Sequence, residues 1–145
     1  MMSHAPILPR PLVFTNGCFD LLHAGHVDNL TRARAQGAYL VVAINSDDSV
    51  RALKGPSRPI MPQAHRVAML SALRCVDMVL VFHAPTPIQL ILELRPDVLV
   101  KGPDYEAGAI VGAPEVNSWG GRIVCLASRL RYLSTTAIIE RIKAS

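Results

Sequence analysis

Two histidines stand three residues apart in Thr15-Asn16-Gly17-Cys18-Phe19-Asp20-Leu21-Leu22-His23-Ala24-Gly25-His26, shortly after an apolar run. Positions i and i+3 share a helix face, so His23 and His26 can aim both imidazoles at one ligand. Gly25 between them allows a phosphate close to the backbone, and a helix starting here adds unpaired N–H groups and a positive dipole end. That combination suits an anion. The segment has neither Gly-x-Gly-x-x-Gly nor a Walker A lysine, so the dinucleotide and P-loop fingerprints do not apply. From spacing alone other readings stay open: His23 as a loop residue and His26 as a satisfied helix residue, or a zinc site. No third zinc ligand lies at suitable spacing.

Further residues carry charge or hydroxyls at informative places. Lys54 and Arg58 lie in a stretch bounded by glycine and proline, Leu53-Lys54-Gly55-Pro56-Ser57-Arg58-Pro59. Such a loop can close over an anion; the alternative is that both residues are solvated charges. Arg66 begins an amphipathic segment and is either functional or simply exposed. Asp77 either meets substrate or registers a strand. Lys101 directly follows an apolar run, where a ligand group is expected. Ser134 and Thr135 are good helix caps in any protein. Cys18 reads as a small thiol fitting a tight turn rather than as a nucleophile.

The elements that must position these groups alternate between strand and helix. Leu12–Thr15 is a short buried strand ending at the Asn16-Gly17 turn signal. Gly25 to Gln36 has helical spacing with Gly37 as a stop, and Tyr39 to Ile44 is a continuous β-prone run. The polar, proline-punctuated stretch from Asp47 to Pro62 reads mostly as loop. Helices follow at Ala64–Leu73, Pro87–Leu94, Glu115–Trp119 and Thr135–Lys143, the last with Ser134 as its N-cap. Further strands follow at Asp77–Phe82, Asp97–Val100 and Arg122–Leu126. Alternation of this kind means βαβ units: an α/β/α three-layer sandwich around a Rossmann-like, doubly wound parallel sheet of five strands. Ligands in such folds bind beyond the carboxyl ends of the strands, at the switch point.

Composition bounds the rest. The chain has 145 residues, a formal charge of +4 and 50% hydrophobic residues. That length predicts one domain, here 12–145 after a flexible segment 1–11, and the hydrophobicity excludes intrinsic disorder. Three widely spaced cysteines fit neither a disulfide framework nor zinc, and no apolar run is long enough to cross a membrane, so a cytoplasmic setting is expected. The basic residues form no block and only 5% of residues are aromatic, which argues against nucleic acid.

The run Gly17-Cys18-Phe19-Asp20-Leu21-Leu22-His23-Ala24-Gly25-His26 resembles the signature of the HIGH-motif nucleotidylyltransferases, and Leu133-Ser134-Thr135-Thr136 resembles their second signature. Asn45-Ser46-Asp47, Lys54-Gly55-Pro56-Ser57-Arg58-Pro59, Arg66, Val76-Asp77 and Val100-Lys101-Gly102-Pro103-Asp104-Tyr105 are similar to one branch, the cytidylyltransferase-like domain of bacterial heptose 1-phosphate adenylyltransferases. The resemblance spans about Leu12 to Ile142. It implies that backbone around Asn16, Gly17, Cys18 and Phe19 holds a nucleotide, and that His23, His26, Gly25 and Lys101 surround its phosphates. It further implies that Ser134, Thr135 and Thr136 cap the β- and γ-phosphates and that Lys54 reaches the triphosphate. Asp20 is implied to lie near the phosphates and Mg²⁺, as a weak metal ligand. Asp104, Arg66 and Asp77 are implied to serve the sugar phosphate. Relatives are often dimers, so a homodimer is expected, and a separate heptose 7-phosphate kinase is expected in the pathway. The chain departs from many relatives at Pro103 and Tyr132, where they have glycine.

The chemistry is consistent without the family. A sugar phosphate has a second pKa near 6, so its attacking oxygen is largely anionic at neutral pH and needs no general base. What such a reaction needs is in-line positioning of two anions and neutralisation of the leaving pyrophosphate. The reading is therefore AMP transfer from ATP to a sugar 1-phosphate, D-glycero-β-D-manno-heptose 1-phosphate by the branch resemblance. CMP transfer from CTP to a polyol or amino-alcohol phosphate, and a non-catalytic nucleotide-binding module, are the alternatives.

Overall fold

The computed structural model describes residues 7–102, 110–127 and 134–145. Its strands are β1 (Leu12–Gly17), β2 (Tyr39–Asn45), β3 (Met78–Phe82), β4 (Val98–Lys101) and β5 (Arg122–Cys125). They form one parallel sheet in the order β3-β2-β1-β4-β5. The helices are α1 (Ala24–Arg34), α2 (Asp47–Lys54), α3 (Gln63–Ser71), α4 (Ile88–Leu94), α5 (Ala113–Ser118) and α6 (Thr135–Ala144).

The central strands are apolar on both faces because both faces are covered. Alternate side chains enter two separate cores. Val13, Leu40, Val42, Ile44, Val98 and Val100 pack with Leu30 and Ala33 of α1 and Leu70 of α3. Leu12, Phe14, Val41, Ala43 and Leu99 pack on the other side with Ile91 of α4 and Ala113 and Val116 of α5. The expected doubly wound three-layer arrangement is what forms. The chain steps outward from β1 to β2 to β3, then returns to the far side of β1 as β4. The switch point therefore lies between β1 and β4.

One expected loop is a helix. The stretch after β2 opens with α2, whose N-cap Ser46 accepts a hydrogen bond from the Ser49 amide. Asp47 and Asp48 occupy its first turn, Arg51 and Lys54 its last, and Gly55 ends it at a φ of 101°. Charges of the favourable sign at each end and a buried Val50 outweigh the polar composition that suggested a loop. Lys54 is thus the last residue of a helix rather than a loop residue.

Two aspartates hold the amino ends of the strands by the same device. Asp77 accepts from the Leu40 amide at 2.8 Å and pairs with Arg34 at 2.9 Å. Asp97 accepts from the Leu12 amide at 2.7 Å and from Arg10, whose guanidinium also binds the carbonyls of Leu94 and Arg95. Residues 7–11, placed by sequence in the lead-in segment, are tied to the fold through that arginine. Asp77 is consequently at the end of the sheet opposite the histidines. It registers a strand and does not face the sugar-phosphate site that the resemblance implied.

Candidate active site

The carboxyl ends of β1 and β4 bring Asn16 and Lys101 together across the switch point, with the Lys101 ammonium donating to the Asn16 side-chain oxygen. Lys101 is 5% exposed, and burial lowers its pKa to about 8. A shielded cation at this position is a ready counter-charge for an anion.

Beyond β1 the chain turns sharply. Phe19 and Leu21 both adopt left-handed φ values, 51° and 54°, a conformation that costs a non-glycine residue roughly 1–2 kcal/mol. A Cβ on Gly17 would lie 3.0 Å from the Phe19 ring, so glycine is what allows that ring to fold back. The ring then packs at 5.2 Å from the His26 imidazole. His26 in turn stacks on His23, with ring centroids 3.7 Å apart and planes 23° from parallel.

The histidines do more than share a face. His23 is the N-cap of α1, and its Nδ1 accepts from the amides of Gly25 at 3.1 Å and His26 at 3.4 Å. The His26 Nδ1 accepts from the His23 amide at 3.2 Å, which closes a reciprocal capping box. With both Nδ1 atoms used as acceptors, each neutral ring carries its proton on Nε2. Burial lowers the pKa of both, with the neighbouring His23 adding to the effect at His26, which falls to about 4. Two neutral Nε2–H donors are therefore available at neutral pH. The amides of Gly25 and His26, expected to face a phosphate directly, are occupied by the His23 ring instead.

Arg66 is neither exposed nor aimed at a ligand. It is 2% exposed and bridges four groups: Met61 O at 3.0 Å, and Cys18 O, Asn45 O and Asp47 Oδ1 at 2.8 Å each. The guanidinium clamps the turn after β1 to the end of β2, the start of α2 and the segment before α3. This corrects its assignment to the sugar phosphate, because those bonds take most of its donors.

Asp20 is likewise committed. It is 1% exposed and accepts from Arg58 Nε at 3.0 Å, Ile60 N at 2.8 Å and Met61 N at 2.9 Å. Burial alone would raise its pKa; the two amides and Arg58 outweigh it and the pKa is lowered. Among the described residues no three His, Cys, Asp or Glu side chains are grouped to hold a metal. Held by three protein donors and 1% exposed, Asp20 is turned into the fold rather than set out as the Mg²⁺ ligand expected of it, and the described residues do not assemble a protein-held metal site.

Cys18 donates its thiol toward Asn45 Oδ1 at 3.7 Å, and burial raises its pKa. That is the profile of a packed thiol. Lys54, Arg66 and Arg58 all act on it electrostatically in the opposite sense; Lys54 is exposed. Ser134 caps α6 through the Ala137 amide, and the Thr135 hydroxyl donates to the Asp20 carbonyl at 2.5 Å, which docks α6 beside the same turn. Thr136 follows, exposed, in the first turn of α6. Asp104, Pro103 and Tyr132 lie outside the described residues.

Asn16, Gly17, Phe19, His23, Gly25, His26, Lys101 and the start of α6 thus lie at the carboxyl-end side of the sheet. Sequence reading missed Arg58 as the partner of Asp20, and Asn45, whose amide donates to Ser49 and whose carbonyl receives Arg66. The Arg58–Asp20 and Arg66–Asn45 pairings span 38 and 21 residues and have no local sequence signal.

Comparison with known proteins places the chain in a family. The chain is 53% identical over 137 residues to a D-beta-D-heptose 1-phosphate adenylyltransferase from Bordetella bronchiseptica, covering 94% of this chain and 84% of that protein. It is 54% identical over 131 residues to the bifunctional protein HldE of Acidiphilium cryptum, where it covers 90% of this chain but spans only 27% of the relative. Among solved structures, a lipopolysaccharide core biosynthesis protein from Thermoplasma volcanium superposes with a TM-score of 0.64 at 28% identity, covering 81% of this chain and 94% of that one. The Cytidylyltransferase-like family model matches residues 14–141, nearly all of the described site, and the chain belongs to that family.

Proposed function

We propose that this chain transfers AMP from ATP to a sugar 1-phosphate, D-glycero-β-D-manno-heptose 1-phosphate, giving an ADP-sugar and pyrophosphate. The observation that carries the reading is the pair of stacked, neutral imidazoles whose Nδ1 atoms are spent on the α1 cap, leaving two Nε2–H donors beside the switch point. Its substrate identity leans on the activity for which the Bordetella relative is named.

In this reading an oxygen of the sugar phosphate attacks the α-phosphorus of ATP in line. The new P–O bond forms as the bond to the β-phosphate bridging oxygen breaks, and pyrophosphate leaves with that electron pair. His23 and His26 donate hydrogen bonds to phosphate oxygens as charge builds on them, and no proton need be removed from the nucleophile. Lys101 and Lys54 supply positive charge, and Ser134, Thr135 and Thr136 offer the start of α6 to the terminal phosphates. Asn16, Gly17, Cys18 and Phe19 supply backbone around the nucleotide, and Asp104 contacts the sugar. Mg²⁺ is carried by the triphosphate oxygens. The setting is cytoplasmic, the chain (one domain from residue 12) works as a homodimer, and a heptose 7-phosphate kinase supplies the pathway upstream.

The test is a pyrophosphate-release screen of nucleoside triphosphates against sugar and polyol phosphates. ATP with heptose 1-phosphate is expected to turn over and ATP alone is not. Faster turnover of CTP with glycerol 3-phosphate would replace the adenylyltransferase reading with the cytidylyltransferase one.

A further inference from the structure

Asp20 lies between two left-handed residues, and its side chain and carbonyl go to different parts of the fold. The carboxylate holds Arg58, Ile60 and Met61, in the segment that follows Lys54. The carbonyl holds the Thr135 hydroxyl at the start of α6. From the sequence motif alone this acid reads as a metal ligand. Its 1% exposure and three filled contacts leave it turned into the protein. Arg66 repeats the stitch from the other side, binding both Cys18 O and Met61 O.

We propose that Asp20 is a positioning residue: a two-sided latch that holds the 58–61 segment by its carboxylate and α6 by its carbonyl, in register with His23 and His26. The proposal rests on the nucleotidyl-transfer reading only for what the latched segments do; the latch itself belongs to the ligand-free protein. Phe19 at 51° and Leu21 at 54° supply the backbone reversal on either side of it. The latch explains why a charged side chain tolerates such burial. Each oxygen is met by a donor, and the one charged donor, Arg58, is itself only 14% exposed. His23 and His26 follow within six residues, so a shift at Asp20 moves the imidazoles and the two neighbouring segments together.

Amide hydrogen exchange on the ligand-free protein tests this without any turnover. Asp20→Asn, which puts an NH₂ where an acceptor was, is expected to speed exchange at Ile60 and Met61 at least tenfold while the β1 and β2 amides hold. Thr135→Val is expected to speed exchange in the first turn of α6 and leave Ile60 and Met61 unchanged. Should Asp20→Asn fail to fold, Arg58→Gln removes one donor, leaves the carboxylate, and is expected to give the same pattern with a smaller shift. In the pyrophosphate assay, Asp20→Asn is expected to raise KM for ATP with the Mg²⁺ dependence unmoved. Unchanged exchange at Ile60 and Met61, or activity restored by added Mg²⁺, would overturn the latch. A wild-type protein inactive with every triphosphate would sink the functional reading instead, and the exchange data would still decide the latch.

Discussion

His23 and His26 cap each other: the His23 Nδ1 accepts from the His26 amide and the His26 Nδ1 accepts from the His23 amide. The same two atoms that begin α1 therefore set the tautomers of both rings. In the proposed reaction these residues also serve the chemistry, so a simple truncation confounds helix stability with catalysis.

An asparagine separates them. Asn is as good an N-cap as Ser or Asp, whereas Ala costs about 1 kcal/mol there. His23→Asn is expected to keep the denaturation midpoint near that of wild type and to lower kcat by on the order of 10²–10³-fold, the usual loss for one transition-state donor. His23→Ala is expected to lose both. Equal activity of His23→Asn and wild type, measured with equal stability, would remove His23 from the reaction.

The acid limb of stability follows from His26. Its folded pKa is about 4 against an ordinary 6.5. Between those values the unfolded chain binds a proton that the folded one does not, so stability falls as pH drops from 6.5 to about 4. His23 shifts in the same direction. His26→Gln keeps a side chain suited to the third helical position of a capping box but cannot titrate. Its Tm is expected to fall less than that of wild type over this window. Parallel Tm–pH curves would show that other groups carry the limb.

Local signals explain how much was legible. Strands such as Leu12–Gly17 and Tyr39–Asn45 are continuous apolar runs, and the histidine pair lies within one contiguous motif, so both could be read directly. The α2 helix was hidden because its signals, Ser46 before two aspartates, stood next to a glycine- and proline-rich stretch of opposite tendency. Arg66 and Asp20 were beyond reach for another reason. Three of the four partners of Arg66 are 19–48 residues away in the chain and the carboxylate partners of Asp20 are 38–41 away, and burial of a charge is decided by whether such partners arrive. Asp77 was left between substrate and strand register because its partners, the Leu40 amide and Arg34, are distant in sequence and meet it only once the sheet is assembled.

Asp77 gives the cleanest contrast between support and chemistry. Asp77→Ala removes the acceptor for the Leu40 amide and the partner of Arg34, and is expected to cost about 1–3 kcal/mol of unfolding free energy, the range for a lost charged hydrogen bond. The kcat and KM of the folded fraction should match wild type. Urea denaturation alongside steady-state kinetics checks this, and a selective rise in KM for the sugar phosphate would return Asp77 to the substrate site.

Lys101 predicts the alkaline limb of activity. Its pKa is lowered to about 8 by burial from an ordinary 10.5, so its charge is lost within an accessible pH range. If that charge attracts the triphosphate, kcat/KM of the free enzyme is expected to fall about tenfold per pH unit once pH exceeds about 8. Unfolding does not mimic this, because the sign of the linkage is opposite. Between about 8 and 10.5 the unfolded chain holds the lysine proton more than the folded one does, so this group makes the fold more stable as pH rises. Lys101→Met is expected to give a low kcat/KM that no longer falls through this window. Lys101→Arg, which stays charged throughout, is expected to lose the limb while keeping part of the activity. A wild-type profile flat to pH 9.5, or a Lys101→Met enzyme as active as wild type at pH 7, would show that the ammonium serves the fold rather than the triphosphate.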